Sequence, residues 1–381
     1  MRVVHVSPYF PPAFQYGGPP ASVLGLCKGL QRAGVDVEVV TTTANGDMPL
    51  PPSPNGRDYD GVRVRYVGAS FPRRFFGARV RTPLSDALVH ADVCHIHGLW
   101  NVPEWWATHL ARGRHVPYVL SPRGMLQPAA MRRGRFRKAV AYRLLEARNL
   151  RRASMLHATS DQEADALRAL DLGVPIAIVP NGVDLASADA ARRGYRARLG
   201  IPPDAVIVLF LGRLHRIKRL DLLADAFATA RANRPSLYLV VAGPDEHRLL
   251  PEIRARLAAH AAAVCTIDAV SGAEKWALLK DADVTVQCSD SESFGLAVAE
   301  SLAAGVPVIA TQTCPWRVIE IAACGRWVEQ SADAIAAAIG ELADDPARRA
   351  AMGARAAAFA RERYGWDGIA RAMTQLYASV H

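Results

Sequence analysis

The chain has 381 residues, half of them hydrophobic and 22% charged, with six cysteines and a formal net charge of +10. The length exceeds one ordinary core and suits two, and the composition argues against extended disorder. Cys27, Cys94, Cys265, Cys288, Cys314 and Cys324 form no CxxC pair, so neither a zinc framework nor a disulfide scaffold is indicated, and reduced thiols in a cytoplasm fit best.

The opening MRVVHVSPYFPP is too short in its apolar run for a signal-peptide core, and no later stretch is long enough to span a bilayer. The charge is unevenly spread. Residues 1–185 hold 23 Lys and Arg against 14 Asp and Glu, whereas residues 186–381 hold 23 against 22. From Arg132 to Arg152 nine basic residues accompany a single acid, Glu146.

In chain order, β-branched runs begin at Val3, Val37, Val93, Tyr118 and Ile176 and alternate with helical patterns over Pro20–Ala33, Pro103–Arg112, Phe136–Leu150 and Asp161–Leu170. Ser160 is placed to cap the last of these. The Pro/Gly-rich stretch Asn45–Gly61 reads as a surface loop. Alternation of this kind predicts a parallel sheet. A turn at Pro180–Asp184 precedes a second start at Val206–Leu211, followed by strands near Leu237–Ala242, Val284–Gln287 and Val306–Ala310 and a helix over Asp221–Ala232. The expected architecture is α/β, with two Rossmann-like domains facing each other across a cleft. Their boundaries are 1–183 and 184–364, with a terminal helix over 365–381.

Two segments after predicted strands carry the chemistry. In Asp290-Ser-Glu-Ser-Phe-Gly, Ser293 is a candidate N-cap, leaving the amides of Phe294 and Gly295 at the positive end of a helix dipole suited to a diphosphate. Glu292 sits in the loop and Glu300 about two turns on, roughly 12 Å, within roughly 20° of the Ser293 direction and so on the same helix face as the loop, from which the two would reach hydroxyls at either end of a ligand. In Phe210-Leu-Gly-Arg-Leu-His-Arg-Ile-Lys, Arg213 and Lys218 follow the turn at Gly212, where fixed cations would stabilise charge developing on a leaving phosphate.

These segments, with Ala242-Gly243-Pro244 and Pro180-Asn-Gly-Val-Asp184, resemble the retaining GT-B-fold glycosyltransferases of family four over most of the chain. The resemblance implies that Arg213 and Lys218 hold a nucleotide-sugar diphosphate, that Glu292 binds the transferred sugar and that Glu300 binds the ribose. Gly17 and Gly18 stand where such enzymes bring backbone close to the donor. It implies retention at the anomeric carbon, with the leaving phosphate assisting on the front side. It also implies no metal or other cofactor, so Asp281-Ala-Asp283 is read as a solvated turn rather than an Asp-x-Asp metal site.

On the acceptor side, alternation puts His95 and His97 on one side of a strand, with His97 at its mouth. Where many members carry a histidine, this chain has Arg123 within Ser121-Pro-Arg-Gly-Met-Leu126, a signature resembling a subgroup associated with bacterial surface-polysaccharide assembly. The expected acceptor is a glycan or lipid-linked saccharide. The basic segment Arg132–Arg152, with Phe136, Val140 and Leu144 at helical spacing, is either an ordinary packed helix or a contact for anionic lipid. The chain has no nucleic-acid module with stacking aromatics, and its first turn lacks the GxGxxG of an NAD-dependent dehydrogenase. The terminal Trp366–Tyr377 reads as a helix crossing back to the first domain, and closure on donor is expected about Pro180–Asp184.

Overall fold

A computed structural model describes residues 1–68, 78–132 and 135–381, with side chains described except at 78, 135–137 and 144. The chain divides into two compact units, Met1–Gly182 with Trp366–His381, and Val183–Gly365.

The first unit is an eight-stranded sheet of Arg2–Ser7 (β1), Asp36–Thr42 (β2), Ser53–Tyr59 (β3), Val62–Val67 (β4), Val93–His97 (β5), Tyr118–Ser121 (β6), Met155–Ala158 (β7) and Ile176–Ile178 (β8). Its order is β3-β4-β2-β1-β5-β6-β7-β8, parallel throughout except for the antiparallel β3–β4 pair. β3 lies inside the stretch expected to be a loop. Its sequence, SPNGRDY, is an exposed edge with no apolar alternation, and the backbone ladder to β4 alone makes it a strand.

The helices Gly18–Arg32 (α1), Val102–Gly113 (α2) and Asp161–Arg168 (α3) belong to this unit, and the Ser160 hydroxyl caps α3 by accepting from the Glu163 amide at 3.2 Å. The helix expected over Phe136–Leu150 is interrupted. α-Helical Arg135–Ala141 and Ala147–Arg151 flank a π-helical turn over Tyr142–Glu146, a local widening found frequently at functional sites. Of the basic segment, Arg133 and Gly134 and the side chains of Phe136 and Leu144 lie outside the described residues.

The second unit is a six-stranded parallel sheet of Val206–Leu211 (β9), Leu237–Ala242 (β10), Val264–Ile267 (β11), Val284–Gln287 (β12), Val308–Thr311 (β13) and Gly325–Val328 (β14), in the order β11-β10-β9-β12-β13-β14. In β9, Val206, Val208 and Phe210 enter one core while Ile207 and Leu209 enter the other. A central strand buried on both faces is therefore continuously apolar. Its helices include Leu220–Arg231 (α4), Gly272–Asp281 (α5), Leu296–Ala303 (α6), Ala332–Asp344 (α7) and Pro346–Tyr364 (α8).

Asp281 and Asp283 are not a solvated turn. Asp281 is buried and accepts from the amides of Gly194 and Arg196 at 2.8 and 2.9 Å. Asp283 accepts from the Arg196 guanidinium at 2.9 Å and the Ile207 amide at 2.8 Å, with Arg349 at 3.4 Å. Both carboxylates are spent tying the segment before β9 to the sheet.

The last helix, Trp366–Ala378 (α9), belongs to the first unit, where it packs on α1 and buries Ile369, Ala370, Met373, Leu376 and Tyr377. The Trp366 ring needs two glycines beneath it. A Cβ on Gly25 would stand 2.2 Å from the ring, and one on Gly182 would stand 2.4 Å from it.

Candidate active site

In the second unit the sheet order reverses direction between β9 and β12, and the loops leaving the carboxyl ends of these neighbours form the crevice where open α/β sheets bind ligands. The β9 loop carries Arg213 and Lys218, and the β12 loop carries Glu292. The two loops are joined directly, since the Asp290 amide donates to the Ile217 carbonyl at 2.8 Å. Gly243, at the end of β10, lets the loops close up, because a Cβ there would fall 2.0 Å from the Gly212 carbonyl oxygen.

Lys218 Nζ and Glu292 Oε1 form a direct ion pair, both largely shielded from water. The same carboxylate oxygen accepts from Gln287 Nε2 at 2.7 Å and Ser289 Oγ at 2.8 Å. Glu292 is thus fixed by three donors. Arg213 Nη1 pairs with Glu246 at 2.7 Å, and Glu300 Oε1 with Lys275 Nζ at 2.6 Å. Arg219 spans Asp221 and Asp290, so the loop end beside Lys218 is also pinned.

The helix start differs from expectation. α6 begins at Leu296 with Gly295 as its N-cap, at φ 87°, and no side chain caps it. Ser293 is not the cap, because the residues before Gly295 form an irregular loop and only glycine readily takes the left-handed turn into the helix. The helical alignment of Glu300 with Ser293 therefore does not apply. Phe294 is buried against Trp316 and Tyr364, and its carbonyl accepts from the Trp316 indole.

Gln287, Ser289 and Lys275 escaped the sequence reading. The signal for the first was present: Thr285 and Gln287 are polar alternates in an otherwise apolar strand and are buried in the structure.

In the first unit, Gly17, at φ 90°, is the N-cap of α1, and Gly18 is its first residue. His97 is not at an open mouth. It is 1% exposed, inside a group formed by His5, His95 and His157 with Ser121, Tyr377 and the half-buried Arg123. Registering β1 with β5 sets His5 beside His95, and β5 with β6 sets His97 beside Ser121.

The hydrogen bonds fix the protons. Arg123 Nη2 can only donate, and it lies 2.9 Å from His97 Nδ1. His97 therefore donates from Nε2 to His5 Nδ1, at 2.9 Å. The Val179 carbonyl can only accept from His157 Nε2, at 2.8 Å, so His157 Nδ1 takes the Ser121 hydroxyl proton at 2.6 Å. Ser121 Oγ in turn accepts from His95 Nε2 at 2.7 Å, and His95 Nδ1 from the Tyr377 hydroxyl at 2.7 Å.

All four rings are neutral. Burial, aided by the Arg123 charge, lowers His5 and His157 to about 3 and holds His95 and His97 well below the usual range. Arg123 itself is lowered to about 10 by burial, adopts a left-handed φ of 55°, and donates to Asn181 at 2.7 Å.

Against Gly98, the residue after His97, Glu104 is 2% exposed and raised to about 8, chiefly by burial. Glu146, also raised by burial, accepts from the Trp100 amide at 2.9 Å.

Two family models match. The description "Glycosyl transferase 4-like domain" covers residues 17–182, and "Glycosyl transferases group 1" covers residues 191–359. A D-inositol 3-phosphate glycosyltransferase of Kineococcus radiotolerans is 32% identical over 98% of this chain and 93% of its own. The chain belongs to the group 1 glycosyltransferases. The fold of this glycosyltransferase is shared with Anabaena HepE in complex with UDP and glucose, at 17% identity and a TM-score of 0.78, covering both chains fully. WaaG, a glycosyltransferase involved in lipopolysaccharide biosynthesis, aligns at 18% identity with a TM-score of 0.71, over 96% of this chain and 97% of its own. The two Rossmann-like units are those of the GT-B fold, and the dehydrogenase and nucleic-acid alternatives fall away. Among the described residues no helix is long and apolar enough to cross a membrane.

Proposed function

We propose that this glycosyltransferase transfers a hexose from a nucleotide-diphosphate sugar with retention of anomeric configuration. The observation that carries the reading is the Lys218–Glu292 pair, held with Arg213 at the carboxyl ends of β9 and β12. On donor binding the two partners separate in role. Lys218 and Arg213 turn to the diphosphate and stabilise the charge that builds on it as the glycosidic bond breaks. Glu292, kept in place by Gln287 and Ser289, accepts from sugar hydroxyls. Glu300 does the same for the ribose, exchanging Lys275 for its hydroxyls. The leaving phosphate takes the acceptor proton on the front side.

With cations and α6 facing the diphosphate, transfer proceeds without a divalent metal. EDTA should leave turnover intact, and loss on chelation restored by manganese or magnesium would contradict this. Screening UDP-, GDP- and ADP-sugars by calorimetry tests the donor class, and binding of none of them would overturn the reading.

The acceptor is a glycan or lipid-linked saccharide of surface-polysaccharide assembly, a reading supported by the Ser121–Leu126 signature. The name of the inositol phosphate relative supports a second reading, a phosphorylated polyol. Nucleotide release on adding D-inositol 3-phosphate, against release on adding lipid-linked saccharides, separates the two. Val140 and Leu145 are 58% and 47% exposed among the exposed Arg143, Arg148, Arg151 and Arg152, which supports docking on the anionic cytoplasmic face of a membrane. Equal affinity for neutral and anionic vesicles would count against that docking.

A further inference from the structure

Next to Arg213, on the β9 and β10 loops, His215, Glu246 and His247 bring one ligating atom each within 4.8 Å of one another. The two imidazole rings already stand close together, with centroids 3.9 Å apart and planes tilted by 39°. Their backbones are clamped: Leu214 donates to the Pro244 carbonyl at 2.9 Å, and His247 donates to the Leu214 carbonyl at 3.3 Å. Asp245 holds the far side of the β10 loop by accepting from the amides of Leu249 and Leu250 at 2.7 and 3.1 Å. Arg248, at a left-handed φ of 52°, turns the chain just after His247.

The geometry points to a transition-metal site, formed by His215, Glu246 and His247, for a borderline divalent cation such as Zn²⁺ or Co²⁺. Two imidazoles and one carboxylate leave at least one position for water, the donor set of an open site rather than a closed structural one. Magnesium and calcium, which need oxygen ligands, are excluded by the same set. Existing contacts are given up on binding. The Ile217 amide donates to His215 Nδ1 at 3.1 Å, so coordination through Nε2 moves the ring proton to Nδ1 and breaks that bond. Glu246 also turns from Arg213 to the metal. On the donor reading above, donor binding by itself draws Arg213 from Glu246, so turnover does not require the metal.

The test is a titration of tag-free full-length protein with Co²⁺, followed by its visible absorption, and with Zn²⁺, followed by competition with a chromophoric chelator. One ion per chain with tetrahedral or five-coordinate Co²⁺ bands is expected. His215→Ala and His247→Ala should each weaken binding more than about 100-fold, the upper end of the loss from removing a supporting partner. His109→Ala, an exposed histidine elsewhere, should not. The Ile217 amide resonance should shift with Zn²⁺ in the parent protein and stay put in His247→Ala. Unchanged affinity in both site variants, or only the spectrum of the hydrated ion, overturns the site. No donor is present in the titration, so a failure of the transfer reading would leave this result standing, and the reverse.

Discussion

The Tyr377 hydroxyl lies 2.7 Å from Nδ1 of His95, a residue 282 positions earlier in the chain. That bond is the first link of a one-way relay through Ser121 and His157 to the Val179 carbonyl, and every proton in it has a single address. Tyr377→Phe keeps the ring and removes the proton, leaving a buried nitrogen unmatched. Stability should fall by about 1–3 kcal/mol in urea unfolding. No loss would mean that the Tyr377 hydroxyl does not satisfy His95 Nδ1.

The neutral histidines set the acid side of the stability profile. An unfolded histidine binds a proton near pH 6.5 and the folded His5 and His157 only near 3, so in that window the unfolded state holds more protons. Stability is therefore lost as pH falls below 6.5, by about 1.4 kcal/mol per pH unit for each group. Glu104 acts in the other direction. Raised from 4.5 to about 8, it keeps its proton when folded, and stability drops as pH climbs through that range. Four rings outweigh the Glu104 and Glu146 carboxyls below pH 6.5, so the optimum lies near pH 6.5. Glu104→Gln should flatten the alkaline arm, which urea midpoints across the pH range would show.

On the proposed reading, Glu292→Gln and Lys218→Ala should each lower transfer by roughly 100-fold or more while leaving the circular dichroism spectrum and melting point nearly unchanged, since both side chains stand on the loops past β9 and β12 rather than in the apolar core. Near-normal turnover in both would remove the ion pair from the mechanism.

Gly25→Ala places a methyl against the Trp366 ring and should cost about 1–3 kcal/mol. Adding Trp366→Ala should recover part of that loss, because the clash goes with the ring. Thermal melts of the two single variants and the double variant measure the coupling, and strict additivity would show that the ring is not what the glycine accommodates.

Much of the fold was legible because parallel strands buried on both faces announce themselves as apolar runs, β9 above all. The site loops were legible for a related reason: Arg213, Lys218 and Glu292 are charged residues placed just past such runs. β3 was not, since an edge strand held by backbone bonds needs no apolar pattern. The start of α6 was misplaced because a serine is the commoner cap, and the left-handed Gly295 is known only from its dihedrals. The burial of His97 depended on His5 arriving from β1 and Arg123 from the loop after β6, which spacing along one strand does not reveal. Asp281 and Asp283 looked like a solvated pair because their partners, Arg196 and Ile207, lie more than 70 residues away.

Because α9 completes the first unit, that unit cannot finish folding in the order in which it is made. The ribosome must first produce the whole of Val183–Gly365, about 180 residues, which at roughly 5–20 residues per second takes on the order of 10–40 s. For that interval the α1 surface and His95 Nδ1 lack their partners in α9. A nascent chain of this enzyme therefore exposes an apolar face on its first unit until α9 emerges, and a chaperone that shields α1 during synthesis would act at that point.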